Sequence, residues 1–328
     1  MFCGTQLLYQ SNLRSFNNIK YVYNNYINFM SLKYRHKRIN QITSSWKLKK
    51  IHPLITSYKI PKKMFNDFKI NLKLYISKAL DIEFNENDKI FIKNIDIARK
   101  NRTNITPNGA VVPKREFHLE YNLVLRSWCD LVRKIVLKKP NLLSLFRITP
   151  NIRIKYGKEL SDNLKRPLST SYPHSDAWVE GPWGMNCYIP FFGDTKKNNM
   201  LYYEPISKFD ESFLKTSPTY TDMQWVTKYY KPIKKLNPKP GLVYISDYAS
   251  IHNTLRKKNC GTRISIDTTF FVGNHEPHKD RKKEYTSKIP KLGLNEFVDA
   301  GQYEIDKHVE KISTYSHYTS KVLKIIKF

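Results

Sequence analysis

Two side chains with metal-binding chemistry stand two positions apart in Ser171-Tyr172-Pro173-His174-Ser175-Asp176. On a strand, positions i and i+2 point to one face, so the imidazole of His174 and the carboxylate of Asp176 can share one metal ion. Two ligands do not close a site. A third is available in His252, which follows a Pro-Gly turn and an apolar strand. Two histidines and one carboxylate on one face of a metal leave the opposite positions open, the set suited to a non-haem Fe(II) centre. Eleven residues beyond His252, Arg263 begins the segment Arg263-Ile264-Ser265-Ile266-Asp267. A guanidinium there can hold a carboxylate of a co-substrate in a planar, two-pronged fork. Parity puts Arg263, Ser265 and Asp267 on one strand face. A His-x-Asp pair alone is a short motif that chance supplies often; the weight lies in the ordered set.

The elements that must position these residues follow from periodicity. From about Phe146 onward the chain has many short apolar runs separated by Pro, Gly, Asn and Lys turns. Strands are expected at 152–156, 170–176, 185–192, 200–204, 241–246 and 263–272, which suggests an all-β sandwich or barrel and no βαβ units. Helices are expected over 61–80 and, most clearly, 116–138, where Tyr121, Val124, Leu125, Trp128, Leu131, Val132 and Ile135 recur at helical spacing. Residues 88–98 read as a short strand, 101–113 as a loop, and 312–328 as a terminal amphipathic helix or loose tail. Asn186 and Tyr188 share a strand face that can line the cavity. Trp178 and Trp183 follow the ligand pair and can cover it, although packing is the commoner role of such side chains. His275 and His278 have a metal-like spacing but sit around Pro277 and read as a surface loop.

At these residues the chain resembles the Fe(II)/2-oxoglutarate-dependent dioxygenases of the phytanoyl-CoA-hydroxylase-like branch, nearest to the streptomycin-biosynthesis-type hydroxylases. The resemblance spans roughly residues 145–273. It rests on Thr149-Pro150-Asn151-Ile152-Arg153, His174-Ser175-Asp176-Ala177-Trp178, Asn186-Cys187-Tyr188-Ile189-Pro190-Phe191, the stretch from Asn199 to Ser207, His252, and Arg263-Ile264-Ser265-Ile266-Asp267. It implies a double-stranded β-helix (a cupin-like jelly roll); with the helices read above and the chain's basic ends, the expected fold is a mainly β core with flanking α-helices and basic terminal extensions. It implies that His174, Asp176 and His252 bind Fe(II), and that Arg263, helped by Ser265, binds 2-oxoglutarate. O₂ would be the second co-substrate, and the expected activity is hydroxylation of a small molecule. Alternatives are the same chemistry on a protein or nucleic acid, or a non-catalytic jelly-roll binding module. The segment after Asn199 departs from the family, with Met200 and Ile206 in place of glycines and Lys208 where a histidine is usual.

Composition bounds the rest. The chain has 328 residues, 40% of them hydrophobic, enough for one large domain with additions. The formal net charge is +29, which favours anionic partners and says nothing of fold. Residues 1–66 hold 12 Lys/Arg and no Asp/Glu. Residues 1–60 lack a regular apolar period and read as a basic arm, an appendage able to touch polyanions; alternatively Tyr21, Tyr23, Ile27, Phe29 and Trp46 fold it over the cavity as a lid. The domain expected to carry the chemistry is 61–275, with a polar extension over 276–328. The four cysteines are scattered, with no CxxC pair, which fits a reducing cytoplasm. No apolar run is long enough for a membrane span and no ordered secretory signal is present. No dinucleotide fingerprint, phosphate-binding glycine loop or internal repeat occurs.

Overall fold

The structure, a computed structural model, describes residues 31–99, 104–113, 117–157, 168–206, 209–287, 289, 296–303 and 323–327. Its centre is β10 (Arg263–Val272), which alternates from Arg263 to Asp267. Ile264, Ile266 and Phe270 enter a core shared with helices. Arg263, Ser265 and Asp267 point the other way, into a cavity. Its neighbour β5 (Met185–Gly193) does the same. Met185, Cys187, Ile189 and Phe191 face the helices, and Tyr188 faces the cavity. Period-2 patterning thus divides one sheet into an apolar and a polar face.

The large sheet places β5 antiparallel on one side of β10, with β3 (Leu143–Arg147) and β4 (Asn151–Lys155) in succession along the other. Beyond β5 come β8 (Leu242–Asp247), β2 (Ile55–Lys59) and β1 (Lys49–His52). β11 (Tyr285–Thr286) closes the far edge on β3. A smaller sheet orders β7 (Tyr230–Pro232), β6 (Asn198–Pro205) and β9 (His252–Arg256). Its aromatic residues Tyr202 and Tyr230 join a second core with Trp178, Phe213 and Tyr248.

Four helices cover the apolar face: α1 (31–45), α2 (Lys62–Leu80), α3 (Asp88–Ala98) and α4 (His118–Val136). The helical spacing read in α2 and α4 is the buried stripe; Phe68, Leu72, Val124, Leu125 and Trp128 are fully buried. α5 (Ala177–Glu180) is a single turn after Asp176. β12 (Glu296–Tyr303) pairs antiparallel with β13 (Leu323–Lys327).

Several expectations are corrected. Residues 88–98 form a helix, not a strand. The side chain of Asn87 accepts the backbone N–H groups of Lys89 and Ile90 at 2.9 and 3.4 Å, an N-cap that satisfies donors a strand would not present. Phe91 and Ile95, four apart, are buried, while Ile90 and Ile97 are exposed. Residues 31–60 are not an appendage. Ile39, Ile42 and Trp46 lie in the helix-side core, and β2 hydrogen-bonds β8 from Ile55 to Lys59. Two of the basic residues, Arg35 and Arg38, are buried against Asp247 and cannot serve a polyanion. Trp46 donates Nε1–H to Lys139 O at 3.0 Å, within the helix-side core. Tyr21, Tyr23, Ile27 and Phe29 lie outside the described residues. The boundary at 276 also moves, because Tyr285 and Thr286 pair with β3. Within 312–328, residues 323–327 are a strand; 312–322 and 328 lie outside the described residues.

Candidate active site

The ligand pair does not sit on a regular strand. His174 makes an isolated antiparallel bridge to His252, with each N–H donating to the other's carbonyl at 2.8 Å. That double bond fixes the two imidazoles side by side, their ring centroids 4.5 Å apart. Asp176 has already left extended geometry, at φ −63 and ψ −17, as the residue that starts α5. Its carboxylate reaches the histidines through a turn, and strand parity is not the cause. Ser175, between the two, donates Oγ–H to Tyr248 O at 2.9 Å and so ties this turn to the turn that leads into His252.

The donor atoms of His174, Asp176 and His252 lie within 4.8 Å of one another. Asp176 Oδ1 is 3.8 Å from Nε2 of each histidine. Nδ1 of His174 lies 2.8 Å from Tyr172 O, which holds the proton there and leaves Nε2 with its lone pair toward the centre. Asn186 Nδ2–H donates to Asp176 Oδ2 at 2.7 Å, leaving Oδ1 for the centre. Burial pushes His174 down to about 3, with the neighbouring His252 adding to the effect, and pushes His252 down to about 4. Both rings are therefore neutral at pH 7, the form that ligates a metal. Burial raises the Asp176 carboxyl to about 6; a divalent cation reverses that direction by favouring the carboxylate. Neutral imidazoles and a carboxylate are N/O donors, and the set fits Fe(II).

A cavity of about 50 Å³ runs from this triad along the polar face of the large sheet to Arg263 and Ser265. Arg263 is 2% exposed. It donates from Nη1 to Asn198 O at a long 3.4 Å and stands 5.5 Å above the Tyr188 ring. Its Nε has no hydrogen-bond partner and no ion pair to it occurs among the described residues. A buried guanidinium in that condition is costly unless an anion reaches it. Tyr188 lines the same cavity and donates to Asn199 Oδ1 at 3.0 Å. Asn186 is placed differently from the expectation: it touches Asp176 and not the space before Arg263.

Among the lining residues that sequence reasoning did not assign to the site are Arg153, Lys155 and Tyr220. Arg153 and Lys155 come from β4, whose apolar–basic alternation does not say which face turns inward. Ile152 and Ile154 enter the helix-side core, so the basic residues turn inward. Arg153 grips Asp267 in a fork at 2.7 and 3.1 Å, and Lys155 donates to Thr170 Oγ1 at 2.8 Å. Tyr220 stacks on His174 at 4.3 Å with the planes 19° apart. It precedes a 3₁₀ segment, Thr221–Tyr229, that no simple period announces. Trp178 and Trp183 are not the cover. Trp178 is fully buried and donates to Phe213 O at 2.7 Å. Trp183 lies between His275, 4.6 Å away and stacked, and the Arg35 guanidinium at 4.1 Å. His278 pairs with Asp280 at 3.2 Å on an open surface, so the His275/His278 spacing holds no metal cluster among the described residues.

No family model matches the chain, and no curated protein matches it. Solved structures do. The non-heme alpha-ketoglutarate-dependent carbocyclase SnoK from nogalamycin biosynthesis is 10% identical, with a TM-score of 0.39 over 71% of this chain and 83% of that one. AviO1 from Streptomyces viridochromogenes Tue57 is 13% identical, with a TM-score of 0.37 over 74% of this chain and 97% of that one. An N-substituted L-amino acid dioxygenase from Burkholderia ambifaria AMMD is 10% identical, with a TM-score of 0.34 over 69% of this chain and 85% of that one. At such scores the likenesses describe those proteins, and what this chain does rests on its own side chains.

Proposed function

We propose that the chain is an Fe(II)- and 2-oxoglutarate-dependent oxygenase, built on a double-stranded β-helix, that hydroxylates a small molecule. One observation carries the reading: the buried, ionically unpartnered Arg263 faces the same cavity as two histidines and a carboxylate. Metal binding alone needs no such cation, whereas a bidentate dicarboxylic acid needs both a metal and a remote positive fork. The sequence resemblance to the phytanoyl-CoA-hydroxylase-like branch supports the same assignment. Cys129, Cys187 and Cys260 are buried free thiols, which fits a reducing, cytoplasmic setting.

When bound, Fe(II) supplies the activation of O₂ that couples decarboxylation of 2-oxoglutarate, to succinate and CO₂, with C–H oxidation. The chain's own groups orient and exclude. His174 and His252 donate Nε2 lone pairs, and Tyr172 O fixes the tautomer of His174. Asn186 holds one carboxylate oxygen of Asp176 so that the other is presented. Arg263 receives the distal carboxylate, with Ser265 beside it and Lys155 as a second cation in the cavity wall. Tyr220, stacked on His174, keeps water from that side of the centre. Such preorganisation is the protein's share of the catalysis.

The test is Arg263→Lys, which keeps the charge and loses the fork. Losing one charge-assisted pair should raise the KM for 2-oxoglutarate roughly 10–100-fold, with metal affinity nearly unchanged. Equal loss of metal binding would make Arg263 a structural residue and defeat the reading.

A further inference from the structure

The stretch 31–63 holds ten Lys/Arg and no Asp/Glu. Helix α1 sorts its part of that charge by face. Arg35, Arg38, Ile39 and Ile42 recur at helical spacing and are buried. Lys33, Lys37, Asn40, Gln41 and Ser44 recur on the other face and are exposed. The exposed stripe continues onto the sheet. Lys50 of β1 donates Nζ–H to Asn40 Oδ1 at 2.7 Å, so its ammonium lies beside the stripe. Lys47 and Lys49, just before it, are exposed as well. Lys49 pairs with Ser57 across the hairpin, which puts the exposed Lys59 at the same end as Lys47. α2 then opens on two more lysines with no acidic residue in its first turn, where the helix dipole already favours an anion.

These charges are not spent within the fold. No ion pair to Lys33, Lys37, Lys47, Lys49, Lys50 or Lys59 occurs among the described residues. Glu204, which reaches β1 from the smaller sheet, is taken by His52 at 2.8 Å and by Lys231 at 3.5 Å. Asp247 and Glu211 are taken by the arginines on the buried face of α1. Lysines on an edge strand also deter edge-to-edge pairing. That role covers Lys49 and Lys50 and leaves the stripe of α1 without a purpose. Like charges gathered on one face repel one another, a cost that a polyanion removes.

We infer that this face, the outer stripe of α1 with β1 and the end of β2, binds the phosphodiester backbone of a nucleic acid. A run of ammonium groups suits a run of phosphates, each contact releasing a condensed counterion. In its sheet β1 pairs with β2 alone, so its outer edge also offers backbone N–H groups to phosphate oxygens. A lipid surface suits the face less well, because such surfaces are entered by aromatic and aliphatic side chains set among the lysines. Over 31–60 the exposed large apolar residues are Tyr34 and Ile51, and Tyr34 is turned to Trp183 and His275. The two arginines of α1, the side chains suited to reading a guanine edge, are buried against Asp247. Binding is therefore independent of base sequence.

The experiment follows the fluorescence anisotropy of two short labelled DNA duplexes of unrelated sequence, titrated with full-length protein. One variant combines Lys33→Gln, Lys37→Gln, Lys49→Gln and Lys50→Gln. A control variant removes as many exposed charges elsewhere, with Lys234→Gln, Lys235→Gln, Lys257→Gln and Lys258→Gln. At low salt the unaltered protein should bind both duplexes equally. The first variant should bind at least about tenfold more weakly, with a slope of log affinity against log salt lower by about 3–4, and the control should stay within about threefold. Thermal midpoints check that each variant is folded. Equal losses in the two variants would reduce the effect to the overall charge and overturn the inference, as would no binding by the unaltered protein. Vesicles of phosphatidylserine and phosphatidylcholine that bind more tightly than either duplex, and lose that binding in the first variant, would overturn it in favour of a lipid headgroup. No metal or 2-oxoglutarate is added, so each outcome is separate from the oxygenase reading.

Discussion

Arg35 Nη1 lies 2.8 Å from Asp247 Oδ1, and neither side chain has any exposed surface. Arg38 Nη1 holds the other oxygen, Oδ2, at 2.9 Å. The same two arginines donate to Pro182 O and Trp183 O at 2.9 and 2.8 Å. Asp247 Oδ1 also accepts the N–H of Ala249 at 2.8 Å. Helix α1 therefore clamps the turn that follows Asp176 and α5 to the turn that leads into His252. Asp247→Asn, which leaves Arg38 facing a neutral amide and Arg35 with Glu211 as its remaining carboxylate at 2.6 Å, should destabilise the fold by about 3 kcal/mol. Urea unfolding reads this directly; an unchanged midpoint would show that the cluster contributes nothing.

A chain starting at Pro61 lacks α1, β1 and β2. Removing β2 strips β8 of its ladder partner from Leu242 to Ser246, and removing α1 opens the core at Ile39, Ile42 and Trp46. Expressed alone, that chain should show no cooperative thermal transition. A well-folded product with native-like melting would return residues 31–60 to the status of an appendage.

The two outcomes for residues 31–60 and 88–98 mark where sequence patterning stops. His174, Asp176, His252 and Arg263 were legible because they are chemically unusual side chains in an ordered set. The two faces of β10 were legible from Arg263 to Asp267 because period 2 holds there. Arg35 and Arg38 fell within the basic arm, since their partner Asp247 is about two hundred residues away and leaves no local mark. In α3, Ile90, Ile92, Ile95 and Ile97 mimic strand alternation over part of their length, and the decisive signal was the single cap Asn87. Arg153 and Lys155 were not assigned to the site because alternation fixes two faces but not which one meets water.

That cap is testable. Asn87→Ala should cost about 1 kcal/mol and, at a surface position, leave the site untouched. A neutral effect in equilibrium unfolding would mean that the cap does not set the helix start.

Asn186 bonds Asp176 Oδ2 without facing Arg263. Asn186→Ala should therefore lower metal affinity roughly 10–100-fold, as loss of a ligand-orienting partner does, and leave the affinity for 2-oxoglutarate at saturating metal largely intact. Competition of Mn(II) binding against a fluorescent chelator measures the first quantity. A defect confined to 2-oxoglutarate would instead place Asn186 on the co-substrate.

The central claim joins the triad to Arg263 in one reaction, and the most direct measurement is succinate formed from 2-oxoglutarate by full-length protein with Fe(II) and O₂. Succinate should appear in step with CO₂, require both Fe(II) and O₂, and vanish in His252→Ala while the variant stays folded. Protein that binds Fe(II) and 2-oxoglutarate but forms no succinate under O₂, or His252→Ala protein that forms it at the wild-type rate, would contradict the account.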